Sequence, residues 1–244
     1  MPIPSVEELL ENALLAKLHR DDLMRLVPHM LVFDFAEGHT LQRAGEEVCN
    51  TWFPSGSAMA AFLVGSDETR SVEVALIGRE GAIGGIVSNG FVPAFASSRV
   101  AAAGRFFRIK TRALEEAKLE SIALRHWLSR YSDCLIAQLL QTAACNATHT
   151  IAQRTAKWLL AAGARTKGST FRMTHEQLAE MLGVGRTFVT RTIGQLRAEG
   201  LIATGRGLFT VLDEARLRAR SCACTTAIEE HFDTVLHGIY PLPS

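Results

Sequence analysis

Thr174-His-Glu-Gln-Leu-Ala-Glu-Met-Leu-Gly-Val-Gly-Arg-Thr-Phe-Val-Thr-Arg191 carries the clearest structural signal in this chain. Thr174 with Gln177 three residues on makes a capping box, so a helix starts at His175. Leu178, Ala179 and Leu182 form its buried face, and small Ala179 lets a neighbouring helix approach. Gly183 ends the helix, because glycine takes the left-handed conformation without a Cβ penalty. Val184 plugs the corner, and Gly185 caps a second helix over about 186–199. That helix buries Val189, Ile193 and Leu196 and leaves Arg186, Thr187, Thr190 and Arg191 on its outer, N-terminal face. This end of a recognition helix meets base edges: an Arg fork matches guanine O6 and N7, and Thr offers a methyl or a hydroxyl. Thr174 and Gln177, at the start of the first helix, are candidate contacts to the DNA backbone.

Downstream, Gly200-Leu-Ile202 opens a hairpin over 203–212 with Arg206 between Gly205 and Gly207 at its tip. A glycine-framed Arg beside a recognition helix is a wing that can reach the adjacent backbone or minor groove. Upstream, 151–164 reads as a helix, and Gly163 and Gly168 bracket the loop before the stretch quoted above. A long helix spans about 121–148, preceded by a short one at 111–118. Leu124, Leu128, Tyr131, Leu135, Gln138, Thr142 and Cys145 recur along it with alternating spacings of four and three, a coiled-coil seam. Its polar Gln138 and Thr142 favour pairing with a second copy over burial in a dry core.

Before position 111 the period changes. Runs at 30–35, 48–53, 58–64, 72–77 and 106–109 are rich in β-formers and separated by Gly, Asn, Asp and Ser, the pattern of a small antiparallel sandwich or roll. A hairpin turn is expected at 65–69, and alternation in 72–76 puts Glu73 on the wet face. Residues 5–30 read as short helices. The expected class is α+β: a β-roll with its dimerisation helix over 1–148 (helix about 120–148), then a winged helix-turn-helix with a helical extension over 149–244.

Composition agrees with a globular, nucleic-acid-facing chain. Of 244 residues, 48% are hydrophobic and 21% charged, with a net charge of +1. That balance hides a basic segment: 151–220 holds twelve Lys/Arg against five Asp/Glu, while 221–244 holds three acids and no Lys or Arg. A concentrated positive segment is a footprint for polyanions. No apolar run approaches a membrane span, and the first 20 residues are amphipathic rather than a secretory leader, so a cytoplasmic protein is expected. The five cysteines lack a scaffold spacing, which suits a reducing compartment. Residues 213–240 read as one amphipathic helix packed on the winged domain. Cys222 and Cys224 then point to different faces, structural-zinc spacings are absent, and no metal is expected.

On the motif Leu178–Arg191, the Gly200-Leu-Ile202 step and the order roll, long helix, hinge, winged helix, the whole chain resembles the cAMP receptor protein/FNR family of bacterial regulators. The resemblance implies base reading by Arg186, Thr187 and Arg191, and a hinge near 148–150. It also implies a homodimer on an inverted repeat with half-sites about 34 Å apart, and a contact to RNA polymerase. The cyclic-nucleotide pattern is not matched. The stretch Gly78-Arg-Glu-Gly-Ala-Ile-Gly-Gly-Ile86 has Gly85 where the family's ribose-binding carboxylate stands, and Ala94 and Phe95 replace the Arg-Ser/Thr pair. Gly84, Gly85 and the displaced Arg99 are the remaining candidates for an effector pocket, with cAMP disfavoured and glycines 81, 84 and 85 suited to a tight turn. The iron–sulfur branch needs N-terminal cysteines, and none precedes Cys49. No cofactor is expected. The alternative is a cupin-like β-roll enzyme with a helical appendage, for which the roll offers only His29 and His39.

Overall fold

The computed structural model describes residues 1–65, 71–86, 92–165, 169–237 and 240. Three short helices lead the chain: α1 (Val6–Leu9), α2 (Ala13–Ala16) and α3 (Arg20–Leu26). Ser5 and Glu8 close a capping box on α1, and Asn12 caps α2 through its side-chain oxygen. The buried Asn12 amide also donates to the carbonyls of Pro54 and Gly81, both at 2.9 Å, so one side chain fastens these helices to the roll.

Among the described residues the roll has eight strands: β1 (Met30–Phe35), β2 (Thr40–Gln42), β3 (Asn50–Pro54), β4 (Met59–Gly65), β5 (Ser71–Ile77), β6 (Ile83–Gly84), β7 (Ser97–Ala102) and β8 (Gly104–Lys110). They form two four-stranded sheets, ordered β1-β8-β3-β6 and β2-β7-β4-β5, with antiparallel pairing throughout. Trp52, Ala60, Ala75, Ile77, Val100 and Phe106 are buried between them, with Phe33 and Phe35 packed alongside. Trp52 meets the Phe33 and Phe35 rings edge-on at 5.2 and 5.3 Å, and the His39 ring stacks on Phe35 at 4.2 Å.

Helix α4 (Thr111–Glu120) leads into α5 (Ile122–Thr148), which lies across the roll. Leu124, Trp127, Leu128 and Tyr131 join Leu9, Leu14, Phe53 and Phe107 in one buried cluster. The Tyr131 hydroxyl donates to the Ala82 carbonyl at 3.1 Å and accepts from the Ala82 N–H at 2.9 Å. Gly81 makes room for it: a Cβ there would stand 2.1 Å from that hydroxyl.

The C-terminal half comprises α6 (Ile151–Arg165), β9 (Thr170–Arg172), α7 (His175–Leu182), α8 (Arg186–Ala198), β10 (Ile202–Gly205), β11 (Leu208–Val211), α9 (Glu214–Arg220) and α10 (Cys224–Val235). The α+β roll, long helix and winged helix-turn-helix are therefore all present. No described helix is long and apolar enough to cross a membrane.

Three expectations change. Strands β2, β6, β7 and β9 were not separated from loops by their sequences; β6 has two residues, and β7 reads Ser-Ser-Arg-Val-Ala-Ala. Glu73 is 4% exposed rather than wet, because α7 of the winged domain covers its face of β5. The C-terminal segment is two helices, not one, broken at Ser221–Ala223. Helix α9 packs on the winged domain through Leu217, whereas α10 crosses back to α5 and sends Phe232, Val235 and Leu236 into the N-terminal cluster. Arg130 of α5 donates to the carbonyls of Val235 at 2.8 Å and His237 at 3.0 Å, holding that return in place. Positions 66–69 of the expected hairpin turn, and Gly168, lie outside the described residues.

Candidate nucleic-acid interface

Helix α7 starts as its sequence requires: the Thr174 hydroxyl accepts from Gln177 N at 3.1 Å, and the Gln177 side chain accepts from Thr174 N at 2.6 Å. Gly183 ends it in the left-handed region at φ 65°. Arg154 of α6, itself buried, donates to the Leu182 carbonyl at 2.7 Å, so a cation satisfies an orphan acceptor at the helix's negative end. Gly185 caps α8, whose inner face buries Val189, Thr192, Ile193 and Leu196 against Leu178, Ala179 and Leu182.

Arg186, Thr187, Thr190 and Arg191 are all exposed on the outer face of α8. The Arg191 guanidinium lies 5.1 Å from the Phe188 ring centre, which holds its planar head over a half-exposed aromatic. Thr190 Oγ1 is 3.1 Å from His175 Nδ1. Burial lowers the His175 pKa, and the nearby Arg186 and Arg197 charges lower it further. A neutral His175 adds no cation of its own to this surface. The β10–β11 hairpin completes a three-stranded sheet with β9, and Arg206 stands exposed in the turn, followed by Gly207 at φ 65°. The structure therefore brings the four α8 residues onto one open face, with the wing Arg on a separate projection of the same domain.

Thr174 and Gln177 lie differently. The start of α7 faces the roll, where Gln177 Nε2 donates to Glu37 Oε1 at 2.7 Å. Arg99 Nη2 bonds Glu180 Oε2 of α7 at 2.9 Å and stands 3.5 Å from Glu73 Oε1. These groups border a cleft of about 220 Å³ between roll and winged domain. Burial pushes the Glu73 carboxyl up to about 7, against the pull of Arg99 and with added repulsion from Glu180.

The other sequence candidates are placed as follows. Gly84 and Gly85 lie at β6, where a Cβ on Gly84 (φ 113°) would sit 2.1 Å from the Asn50 carbonyl oxygen. A Cβ on Gly85 would stand 2.5 Å from the Thr111 side chain. Arg99 is on the other sheet and points to α7, so the three are not brought together. On α5, Leu124, Leu128, Tyr131, Gln138 and Thr142 are buried within the chain, and Leu135 is half-buried. The Gln138 amide donates to the Leu76 carbonyl at 3.4 Å. The seam expected to pair with a second copy is thus taken up by the roll and α10. The outward face instead shows Ile136, Leu140, Ala143 and Ala147, again spaced four, three, four, with Leu139 beside them.

No curated protein matches the chain. A family model for the Crp-like helix-turn-helix domain matches residues 153–220. Among solved structures, FixK2 from Bradyrhizobium japonicum superposes with a TM-score of 0.69 at 16% identity, covering 80% of this chain and 98% of that one. A CRP-family transcriptional regulator from Thermus thermophilus gives 0.65 at 19% identity, covering 78% and 96%. The c-di-GMP-responsive global regulator CLP of Xanthomonas campestris gives 0.62 at 14%, covering 79% and 99%. The chain thus carries a Crp-like helix-turn-helix domain within the fold of the Crp/Fnr transcription regulators.

Proposed function

We propose that this chain is a sequence-specific, non-enzymatic DNA-binding transcription regulator. It works as a homodimer on an inverted-repeat operator, in the cytoplasm, under control of a signal received at the roll and with RNA polymerase as a further partner. The observation that carries the reading is the open face of α8, with Arg186, Thr187, Thr190 and Arg191 exposed together above a fully buried inner face. Arg186 and Arg191 read bases, the threonines supply methyl or hydroxyl contacts, and Arg206 takes phosphate from the wing. Thr174 and Gln177 reach the backbone once α7 leaves Glu37. The dimer forms through the outward stripe of α5, because the inward one is filled by the chain's own core.

Signal binding biases the orientation of the winged domains about the hinge at His149–Thr150, between the end of α5 and the start of α6. This is a shift between two populated arrangements, driven by differential affinity for one of them. Selection of random duplexes by the purified protein tests the reading, run alone and with cyclic mono- and dinucleotides. An enriched inverted repeat is expected. Enrichment of single half-sites overturns the dimer, and no enrichment under any condition overturns the assignment of Arg186 and Arg191.

A further inference from the structure

The break between α9 and α10 gathers groups that a continuous helix would have kept apart. Cys222 lies in the break and Cys224 is the first residue of α10. Facing them, Cys145 and His149 stand four residues apart at the end of α5, and so on one face. The sulfurs of Cys145, Cys222 and Cys224 and a ring nitrogen of His149 all lie within 4.8 Å of one another. This is the only such group of three or more Cys, His, Asp or Glu among the described residues.

The distances suit one ion at the centre. Zinc holds sulfur at about 2.3 Å and nitrogen at about 2.0–2.1 Å, so a tetrahedron has edges of about 3.8 Å between sulfurs and about 3.5 Å between sulfur and nitrogen. Cys145 Sγ and Cys222 Sγ are 3.6 Å apart, and Cys224 Sγ and His149 Nδ1 are also 3.6 Å apart. The thiols are buried, and none is in a disulfide. Gln141, one turn before Cys145, donates its amide to Cys224 Sγ at 3.1 Å, the kind of outer contact that orients a thiolate ligand. Charge is also provided for. Three thiolates and a neutral imidazole around a divalent ion leave one negative charge in a dry site, which is costly unless paired. Lys157 of α6 is 5% exposed, makes no salt bridge among the described residues, and its positive field acts on both Cys145 and Cys224.

We propose that Cys145, His149, Cys222 and Cys224 form a closed, four-coordinate site for a thiophilic divalent cation of the zinc type. Binding displaces the thiol protons to solvent and leaves no open position, so the site is structural. It fastens the α9–α10 break to the end of α5, beside the hinge, and this assignment is independent of what α8 reads.

The test is titration of the full chain with Co(II), after reduction and removal of metal, followed by Zn(II). One equivalent per chain is expected to give the strong absorption of tetrahedral thiolate cobalt, bleached on adding zinc. Cys145→Ser, Cys222→Ser and Cys224→Ser should each remove it, whereas Cys49→Ser and Cys134→Ser should keep it. Gln141→Leu should weaken cobalt binding by on the order of 10–100-fold. The wild-type titration stands even if a variant does not fold. The proposal is overturned if the reduced wild-type chain takes up no cobalt, or if the spectrum survives loss of both Cys222 and Cys224. A Cys145–Cys222 disulfide, seen as the loss of two hydrogens by mass, with no metal uptake after reduction, overturns it in favour of a redox pair.

Discussion

Glu73 carries an acid up to about 7 from an ordinary 4.5, chiefly because it is buried beneath α7. The folded chain therefore keeps a proton that the unfolded chain has lost by neutral pH. Stability from this group is complete below about pH 4.5 and is lost as pH rises through about 7. The gap between those values sets a ceiling on the order of 3 kcal/mol. Glu73→Gln keeps the shape and removes the titration. Urea midpoints taken from pH 5 to pH 8 should fall for the wild type and stay flatter for the variant; parallel curves would dismiss the assignment. On α8, Arg186→Ala or Arg191→Ala should cost on the order of 1–3 kcal/mol of operator affinity and relax one base position. Arg206→Ala should instead weaken all duplexes alike and reduce the slope of log affinity against log salt by about one. Binding isotherms on matched and mismatched duplexes at three salt concentrations separate the two classes, and an equal loss on every sequence for all three variants defeats the division.

Each helix of the recognition motif is marked by its own ends, which is why α7 and α8 were legible residue by residue. A capping box and a left-handed glycine are local chemistry, satisfied whatever the helix packs on. Thr174→Ala should accordingly cost about 1 kcal/mol of stability, read from thermal or urea unfolding, without moving the rest of the fold. Helix α5 was legible in length but not in orientation. A four-three stripe declares that one face is buried and is silent about what buries it. Here Leu124, Leu128 and Tyr131 meet the roll, and α10 covers the face beside them. The outward stripe of Ile136, Leu140, Ala143 and Ala147 was masked by small residues. Ile136→Glu with Leu140→Glu should give monomers in sedimentation at concentrations where the wild type is dimeric. Leu128→Ala should cost about 2–5 kcal/mol of stability and leave assembly intact. Dissociation by Leu128→Ala alone would return the pairing surface to the inner seam. The α9–α10 break was illegible for a related reason: Leu217 and Phe232 keep helical spacing, yet they serve two different cores.

Taken across both domains, the misread residues are those whose environment comes from the other half of the chain. Glu73 alternates as a surface residue within its own strand and is buried only because α7 docks on it. Arg99 looks like a displaced ligand-binding cation and is occupied by Glu180 of α7. No pattern within 72–76 or 97–102 encodes a neighbour that begins about 100 residues after the first of these segments and about 75 after the second. The same docking gives the arrangement a functional consequence. Thr174 and Gln177, proposed to meet phosphates, have the roll in front of them, and Gln177 is bonded to Glu37. On that proposal, DNA and the roll compete for the start of α7. A charged hydrogen bond of this exposed kind is worth about 1 kcal/mol, so its loss shifts the balance toward the undocked arrangement by about fivefold. Glu37→Ala should tighten operator binding by up to that factor, with no change in which sequence is preferred, because no base-reading group is touched. Gln177→Ala should tighten nothing, since it releases the roll but also removes the phosphate contact. Equilibrium binding of both variants to one selected operator makes the comparison. Equal affinity for wild type and Glu37→Ala would mean that docking on the roll and binding of DNA do not exclude one another.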